Sequence, residues 1–382
     1  GMDRYNNYQG AKARLTSAEQ RLLDNVETVA LDTIRAHVDV VRERRLVTLA
    51  DENIIAHQEV LESIAERVAG GAGSKADEMQ ARGRVARAET TQISYIGALR
   101  TAEAEYLRMT GMVPGPLDDP EYMMETLPQS LEEVLEKTIS TNPKIKIFQA
   151  EVEASKKDKN VTSATLYPTV DIEVSSRHTD RLDGSETYLQ DNRAMLALSW
   201  NLFNGGSDYQ YIQTANARVR EAQENLRDTV DDLTRQVATA WAEYETSVNS
   251  IEKHLEALSY SMESRDMYLM QFNVGQRSLL DVLDSINEVF SNSVLLETSQ
   301  SNRNFALYKF LALEGQLVQT MNVRKKAFDP EAKDEPTHDA MTEDEASAEE
   351  DAVEEVPVED EMPAEAESEE EEEEFKWEPE EE

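Results

Sequence analysis

The sequence predicts a mainly α protein in which two repeats of a long antiparallel coiled-coil helical hairpin accompany an amphipathic β-hairpin. Three observations carry this prediction. Residues 1–111 align with residues 205–315 at a constant offset of 204 without a gap. Within each copy the apolar residues recur with a helical period. In the segment before the second copy, the period changes to two, which is typical of strands.

The repeat is visible as identical residues at matching positions over its full length. The pairs include Gly1/Gly205, Tyr5/Tyr209, Arg14/Arg218, Leu22/Leu226, Ala36/Ala240, Gly71/Gly275, Ser74/Ser278, Asp77/Asp281 and Gly111/Gly315. Two copies of one supersecondary unit are the simplest cause of such a match.

The apolar residues of the first helix in each copy step by four and three. They are Leu22, Val26, Val29, Thr33, Ala36 and Val40 in the first copy, and Leu226, Val230, Leu233, Val237, Ala240, Tyr244, Val248, Ile251, Leu255, Leu258 and Met262 in the second. A period of about 3.5 keeps one seam against a partner helix and predicts a left-handed coiled coil. At roughly 65 residues and about 1.5 Å per residue, each such helix is near 100 Å long.

Glycines and serines mark the hairpin turns. The glycines at 70–71 and at 275 break the helix, and Ser74 and Ser278 can cap the returning helix. The predicted division of the chain is 1–111 first repeat hairpin, 112–128 connector, 129–165 return helix, 166–204 β-hairpin, 205–315 second repeat hairpin, 316–328 connector, and 329–382 disordered acidic tail.

The return helix opens with a capping box of Ser130 and Glu133, and Asn142-Pro143 predicts a kink or turn within it. After Pro168 the apolar residues alternate with polar or small ones. The apolar positions are Val170, Ile172 and Val174, then Leu196, Leu198, Trp200 and Leu202.

This alternation has two interpretations. One is a transmembrane barrel strand pair whose lipid-facing side is Leu196, Leu198, Trp200 and Leu202; the other is an amphipathic hairpin on a soluble core. An isolated hairpin leaves two open edges, so the membrane interpretation requires further strands from elsewhere.

Because Gly1 aligns with Gly205, the repeat predicts that the given chain begins at the end of a first strand pair. In a rival interpretation, Gly1 is a cloning remnant and Met2 is a genuine start.

Charge and composition argue against several classes of protein. The formal net charge is -40, and residues 329–382 carry 28 of the 78 acidic side chains, so nucleic acid is not an expected partner. Cysteine is absent, and the five histidines form no i, i+4 pair and no HExxH motif. We therefore expect no catalytic residues, no metal and no cofactor.

Three motifs resemble the TolC family of outer-membrane factors. They are the strand-to-helix passage LFNGG at 202–206, the strand entry LYP at 166–168, and the helical turn GQRSLLDVLD at 275–284. The resemblance implies a homotrimer whose strands close one transmembrane β-barrel in outer-membrane lipid. Closure of the barrel removes the open sheet edges. The resemblance also implies a helical tunnel across the periplasm.

In that family the hairpin tips meet a periplasmic adaptor (membrane fusion protein) of an inner-membrane transporter and constrict the tunnel. The resemblance implies adaptor contact at the tip turns, through Gly71, Ser74, Gly275 and Ser278, and a gate at Asp77, Arg277, Asp281 and Asp284.

The spacing of Asp281 and Asp284 puts both carboxylates on one helix face, which in a trimer predicts two acidic rings and a preference for cations. The alternative is an ordinary acidic helix start. Arg277 could link neighbouring hairpins by pairing with Asp77, and Phe272 stands where the family often has tyrosine.

The functional prediction is a passive outer-membrane channel, not an enzyme, that exports substrates with an inner-membrane transporter and an adaptor. Type I protein secretion is the first choice, and multidrug or small-molecule efflux is the alternative. The competing class is a soluble coiled-coil scaffold or adaptor, which leaves the apolar strand face unexplained.

Overall fold

The computed structural model describes residues 2–118, 128, 130–180 and 188–321. Its elements are α1 (Asp3–Ala69), α2 (Lys75–Thr110), α3 (Leu131–Thr141), α4 (Pro143–Ser163), β1 (Thr169–Asp180), β2 (Tyr188–Ser199), α5 (Ser207–Asn273), α6 (Leu279–Glu314) and α7 (Leu317–Thr320). A 3₁₀ turn, Ala164–Leu166, joins α4 to the first strand.

The two repeats fold with identical bounds at the offset of 204. Helices α1 and α5 each contain 67 residues, and α2 and α6 each contain 36. At about 1.5 Å per residue the long helices measure about 100 Å. Both short helices end at a glycine of positive φ, Gly111 and Gly315. The predicted long helical hairpins in two repeats are confirmed.

The long helices α1 and α5 have different neighbours in the two halves of their length. Helix α4 lies between α1 and α5 in the half that is nearer the strands, whereas α6 packs between α5 and α1 in the other half. Ion pairs fasten α4 to α1, with Arg14 Nη2 2.5 Å from Asp158 Oδ2 and Arg21 bonded to Glu151.

The coiled-coil seam is covered over only part of its length within one chain. Ala36, Val40, Leu233, Val237 and Ala240 are buried as the heptads predict. Five other seam residues remain exposed: Leu22, Val29, Val248, Leu255 and Met262. The long helices therefore keep apolar surface that the described parts of this chain do not cover.

An aromatic cluster forms the centre of the middle core. Phe310 of α6 is fully buried and lies 5.9 Å from the ring of Trp241 and 5.7 Å from the ring of Tyr244, measured between centroids. Val134 of α3 and Ile145 of α4 close the same cluster. The short helices thus bind the second hairpin at its middle.

Asn142 makes the joint between α3, α4 and the end of α6. Its side-chain oxygen accepts hydrogen bonds from the N–H groups of Lys144 and Ile145, and its Nδ2 donates to the carbonyl of Leu313 at 2.8 Å. Pro143 then starts α4, where its missing N–H costs nothing. The predicted break at Asn142-Pro143 is a separation into two helices.

Helix α7 lies where the sequence predicts only a connector. The buried carboxylate of Glu27 accepts hydrogen bonds from the N–H groups of Leu317 and Val318, at 3.0 and 3.3 Å. This side chain supplies the N-terminal partners that the local sequence lacks. Burial raises the pKa of Glu27, and these two backbone bonds oppose the rise.

Candidate functional site

The two hairpin tips have the same backbone design. In the first, the N–H of Ala72 donates to the carbonyl of Arg67 at 2.9 Å, and in the second the N–H of Gln276 donates to Gln271 at 2.9 Å. Each turn uses a glycine of positive φ, Gly71 or Gly275. These bonds complete the helix ends in the Schellman pattern.

The predicted serine caps are both present. The Oγ of Ser74 accepts a hydrogen bond from the N–H of Ala76 at 3.2 Å, and the Oγ of Ser278 accepts one from the N–H of Asp281 at 3.3 Å. Each cap starts the returning helix within one residue of the end of the turn.

One of the positions at which the tips differ is position 73 of the repeat, where Gly73 corresponds to Arg277. A Cβ on Gly73 would lie 2.8 Å from the backbone nitrogen of Val68, so the first turn has no room for a side chain there. In the second turn, the Arg277 guanidinium lies 3.9 Å from the ring centroid of Tyr268. Only the second tip therefore presents a cation at this position.

The structure places Arg277 differently from the sequence prediction. Its Nε lies 3.1 Å from Oδ2 of Asp281, and within the described residues it does not contact Asp77. Asp77 is exposed at the start of α2 and has no side-chain partner among those residues. Stacking on Tyr268 and pairing one helical turn away hold Arg277 within its own hairpin.

Asp284 is bound to the other hairpin. Its carboxylate is hydrogen-bonded to the guanidinium of Arg84 from α2. Asp281 and Asp284 therefore each have an arginine beside them, and both stay roughly half exposed. The acidic rings remain a prediction, and each carboxylate that would form them has a positive neighbour.

A second arginine of the first hairpin also reaches across the seam. Arg67 donates to Oδ1 of Asn273 at 3.0 Å, and its guanidinium lies 4.6 Å from the ring centroid of Phe272. Phe272 thus provides a cation–π contact at the position where the family often has tyrosine.

An apolar core joins the two tips beneath these arginines. Val60 and Ile64 of α1 pack with Val282, Leu283 and other buried residues of α6. A cavity of about 390 Å³ opens beside this core, lined by Glu59 and Ser63 of α1 and by Arg265 and Asp266 of α5. The tips therefore form one packed unit.

The β-hairpin carries the second candidate surface. Val170 pairs with Leu198, Ile172 with Leu196, and Val174 with Ala194, so these side chains share one face of the two-stranded sheet. That face is exposed: Ile172 is 78% exposed and Leu196 is 72% exposed.

The predicted lipid-facing residues extend beyond the end of β2. β2 ends at Ser199, so Trp200 and Leu202 lie in the passage to α5 and not in the ladder. Trp200 turns back and donates a hydrogen bond from Nε1 to the carbonyl of Leu166 at 3.2 Å. Both side chains remain exposed.

Among the described residues, no helix has the length and apolarity needed to cross a bilayer. Those residues also contain no group of three or more His, Cys, Asp or Glu side chains arranged to hold a metal ion.

Residues 134–313 match the family model described as outer membrane efflux protein. This match covers 180 of the 382 residues and confirms that the chain resembles the family, as the motifs predicted. The predicted channel class and outer-membrane location agree with it.

Relatives and solved structures agree with this match. The chain is 24% identical over 327 residues to the outer membrane efflux protein BepC of Brucella suis, covering 83% of this chain and 70% of BepC. It is 24% identical over 304 residues to the proteases secretion protein PrtF of Dickeya chrysanthemi, covering 74% of this chain and 63% of PrtF. The fold resembles the outer membrane protein VceC of Vibrio cholerae, with a TM-score of 0.71, 18% identity, and coverage of 82% and 76%.

Sequence reasoning missed Arg84 and Arg67. The partners of both arginines lie about 200 residues away in the chain. No local pattern marks such pairs, and the repeat does not align Arg84 with Asp284.

Proposed function

We propose that this protein is a subunit of a passive export channel, in which strands from three copies close a barrel in the outer membrane. The observation that carries this proposal is the apolar strand face, exposed and joined directly to helices of about 100 Å. A two-stranded sheet leaves its outer backbone groups unpaired, which lipid does not tolerate. Closure by further strands removes those edges.

The coiled coils would form the tunnel wall in the periplasm. Exposed seam residues such as Leu22, Val29, Leu255 and Met262 supply apolar surface for neighbouring helices of the assembly. A complete ring of helices would bury this surface and enclose an aqueous path.

We infer that the hairpin tips are the meeting point with a periplasmic adaptor of an inner-membrane transporter. The rigid turns at Gly71, Ser74, Gly275 and Ser278 present short exposed loops of fixed shape. Energy and substrate choice would come from the transporter, and the chain would perform no catalysis.

Type I protein secretion is the function we favour. The name of PrtF connects one relative with the secretion of proteases. Efflux of small molecules is the second candidate, because the name of BepC describes an efflux protein.

The test is reconstitution of the protein expressed from its complete gene. We expect it to require detergent for extraction, to run as a trimer and to give single-channel currents in planar bilayers without ATP. Extraction into plain buffer as a non-conducting rod would instead support the soluble scaffold.

The two transport roles can be separated in cells. Deletion of the gene should block release of a protein substrate of a co-expressed type I transporter, while resistance to small toxic compounds stays within about twofold of the wild type. The opposite pattern would assign the channel to small-molecule efflux.

A further inference from the structure

His57 is a buried histidine that the channel function does not use. It lies on α1, where it is 2% exposed, and its Nδ1 has no hydrogen-bond partner among the described residues. One turn earlier, Asn53 is 6% exposed, and its Oδ1 also has no partner within that part of the chain. Two unsatisfied polar side chains on one helix face are uncommon in a packed seam.

The position of His57 is the junction of the two hairpins. The apolar core that joins the tips begins at Val60, three residues further along α1. The charged group that acts on His57 is Arg84 of α2, and the guanidinium of Arg84 is in turn bound to Asp284 of α6. Within the described residues, no carboxylate contacts the imidazole, so a proton on it would have no direct partner.

These surroundings favour the neutral imidazole. Burial and, after it, the positive charge of Arg84 lower the pKa of His57 to about 4. A protonated His57 would also stand beside the arginine whose bond to Asp284 fastens α2 to α6. Because a buried unpaired charge is costly, the protonated state favours any arrangement that admits water to the seam.

We propose that His57 is a proton-sensitive element of this seam, whose protonation in acid loosens the bond between the two hairpins and lets their tips part. The conclusion that this parting widens a tunnel mouth rests on the proposed channel function. The parting itself depends only on the packing of α1, α2 and α6.

The direction and size of the pH effect follow from the difference in the pKa of His57 between the closed and the parted forms. If the parted form gives His57 its ordinary pKa of 6.5, it binds more protons than the closed form between pH 6.5 and 4. The closed form is then fully favoured above pH 6.5 and loses its advantage as pH falls. Between pH 7.5 and 5.5 the ratio of parted to closed molecules should rise roughly tenfold.

The experiment measures the distance between the tips directly. The chain has no cysteine, so Ala72→Cys and Gln276→Cys place one spin label on each exposed turn. Distance distributions are recorded by double electron–electron resonance on the detergent-purified protein at pH 7.5 and 5.5. His57→Gln and His57→Leu remove the titration in two different ways, and His254→Gln, a half-buried histidine of α5, is the matched control.

We expect the population at long distance to rise in the labelled parent and in the His254 variant, and to stay constant in both His57 variants. An equal rise in the His57 variants, or a parent that does not respond to pH, would overturn the proposal. The readout requires no conduction, so either result leaves the channel function to be judged by its own test.

Discussion

At the scale of single residues, the glycine that ends the short helix has different surroundings in the two repeats. Gly111 and Gly315 both end a short helix at positive φ, which an L side chain adopts only at a cost. A Cβ on Gly315 would also lie 2.4 Å from Cδ of Pro143, whereas nothing lies within 4 Å of one on Gly111. The second repeat therefore uses its glycine for close packing as well as for conformation.

This comparison gives a matched pair of variants. Gly315→Ala should lower the free energy of unfolding by about 2–4 kcal/mol, from left-handed strain and from overpacking against Pro143. Gly111→Ala should lower it by about 1–2 kcal/mol, from strain alone. Thermal unfolding followed by circular dichroism measures both, and equal losses would contradict the packing argument.

At the scale of elements, the aromatic cluster of α5 and α6 binds the second hairpin to the short helices. Phe310→Ala should cost about 3–5 kcal/mol, because it leaves a cavity between Trp241 and Tyr244. Phe203→Ala, at a position that is 82% exposed, is the control and should leave unfolding almost unchanged. Denaturant unfolding checks the pair, and similar midpoints for the two variants would refute the role of the cluster.

The β-hairpin is the element whose environment is most easily tested. Val174 lies in the middle of β1 on the apolar face, and Glu173 lies on the opposite face. Val174→Arg should lower the stability of the membrane-inserted protein by about 2–4 kcal/mol, the penalty for a charge facing lipid near the middle of the bilayer.

The control for this element is Glu173→Arg, which changes charge on the other face and should insert normally. Folding into lipid vesicles from urea, followed by gel mobility, compares the two proteins. Equal insertion would show that the apolar face does not meet lipid.

At the scale of the whole molecule, the charge at the hairpin tips depends on pairs of residues and not on acids alone. Arg277 neighbours Asp281, and Arg84 is bound to Asp284 across the two hairpins. In a trimer each carboxylate would be repeated three times, and so would its arginine.

Ion selectivity in planar bilayers tests this arrangement. Replacing Arg84 and Arg277 together by Gln should raise the preference for K⁺ over Cl⁻ by roughly two- to fivefold, because the carboxylates lose their counter-charges. Asp281→Asn with Asp284→Asn should lower it by a similar factor. Glu105→Gln, an exposed residue of α2 far from the tip, should leave the reversal potential unchanged.

The sequence by itself determined the parts of this protein that depend on neighbours in the chain. The offset of 204, the glycine breaks and the serine caps located all four helices of the two hairpins, because helix ends are decided by local backbone chemistry. Period two located both strands for the same local reason, although Trp200 and Leu202 proved to lie beyond the second. Residues 181–187 of the predicted β-hairpin, most of the 112–128 connector, residues 322–328 of the second connector and the predicted acidic tail lie outside the described residues.

Tertiary structure alone decided which distant side chains meet. The bond of Arg84 to Asp284, the helix cap that Glu27 provides, and the burial of His57 each depend on packing between elements far apart in sequence. The stacking of Arg277 on Tyr268 instead of a pair with Asp77 depends on the geometry of one turn. A spacing pattern records the direction of a side chain along its own helix, but the partner depends on how the helices pack.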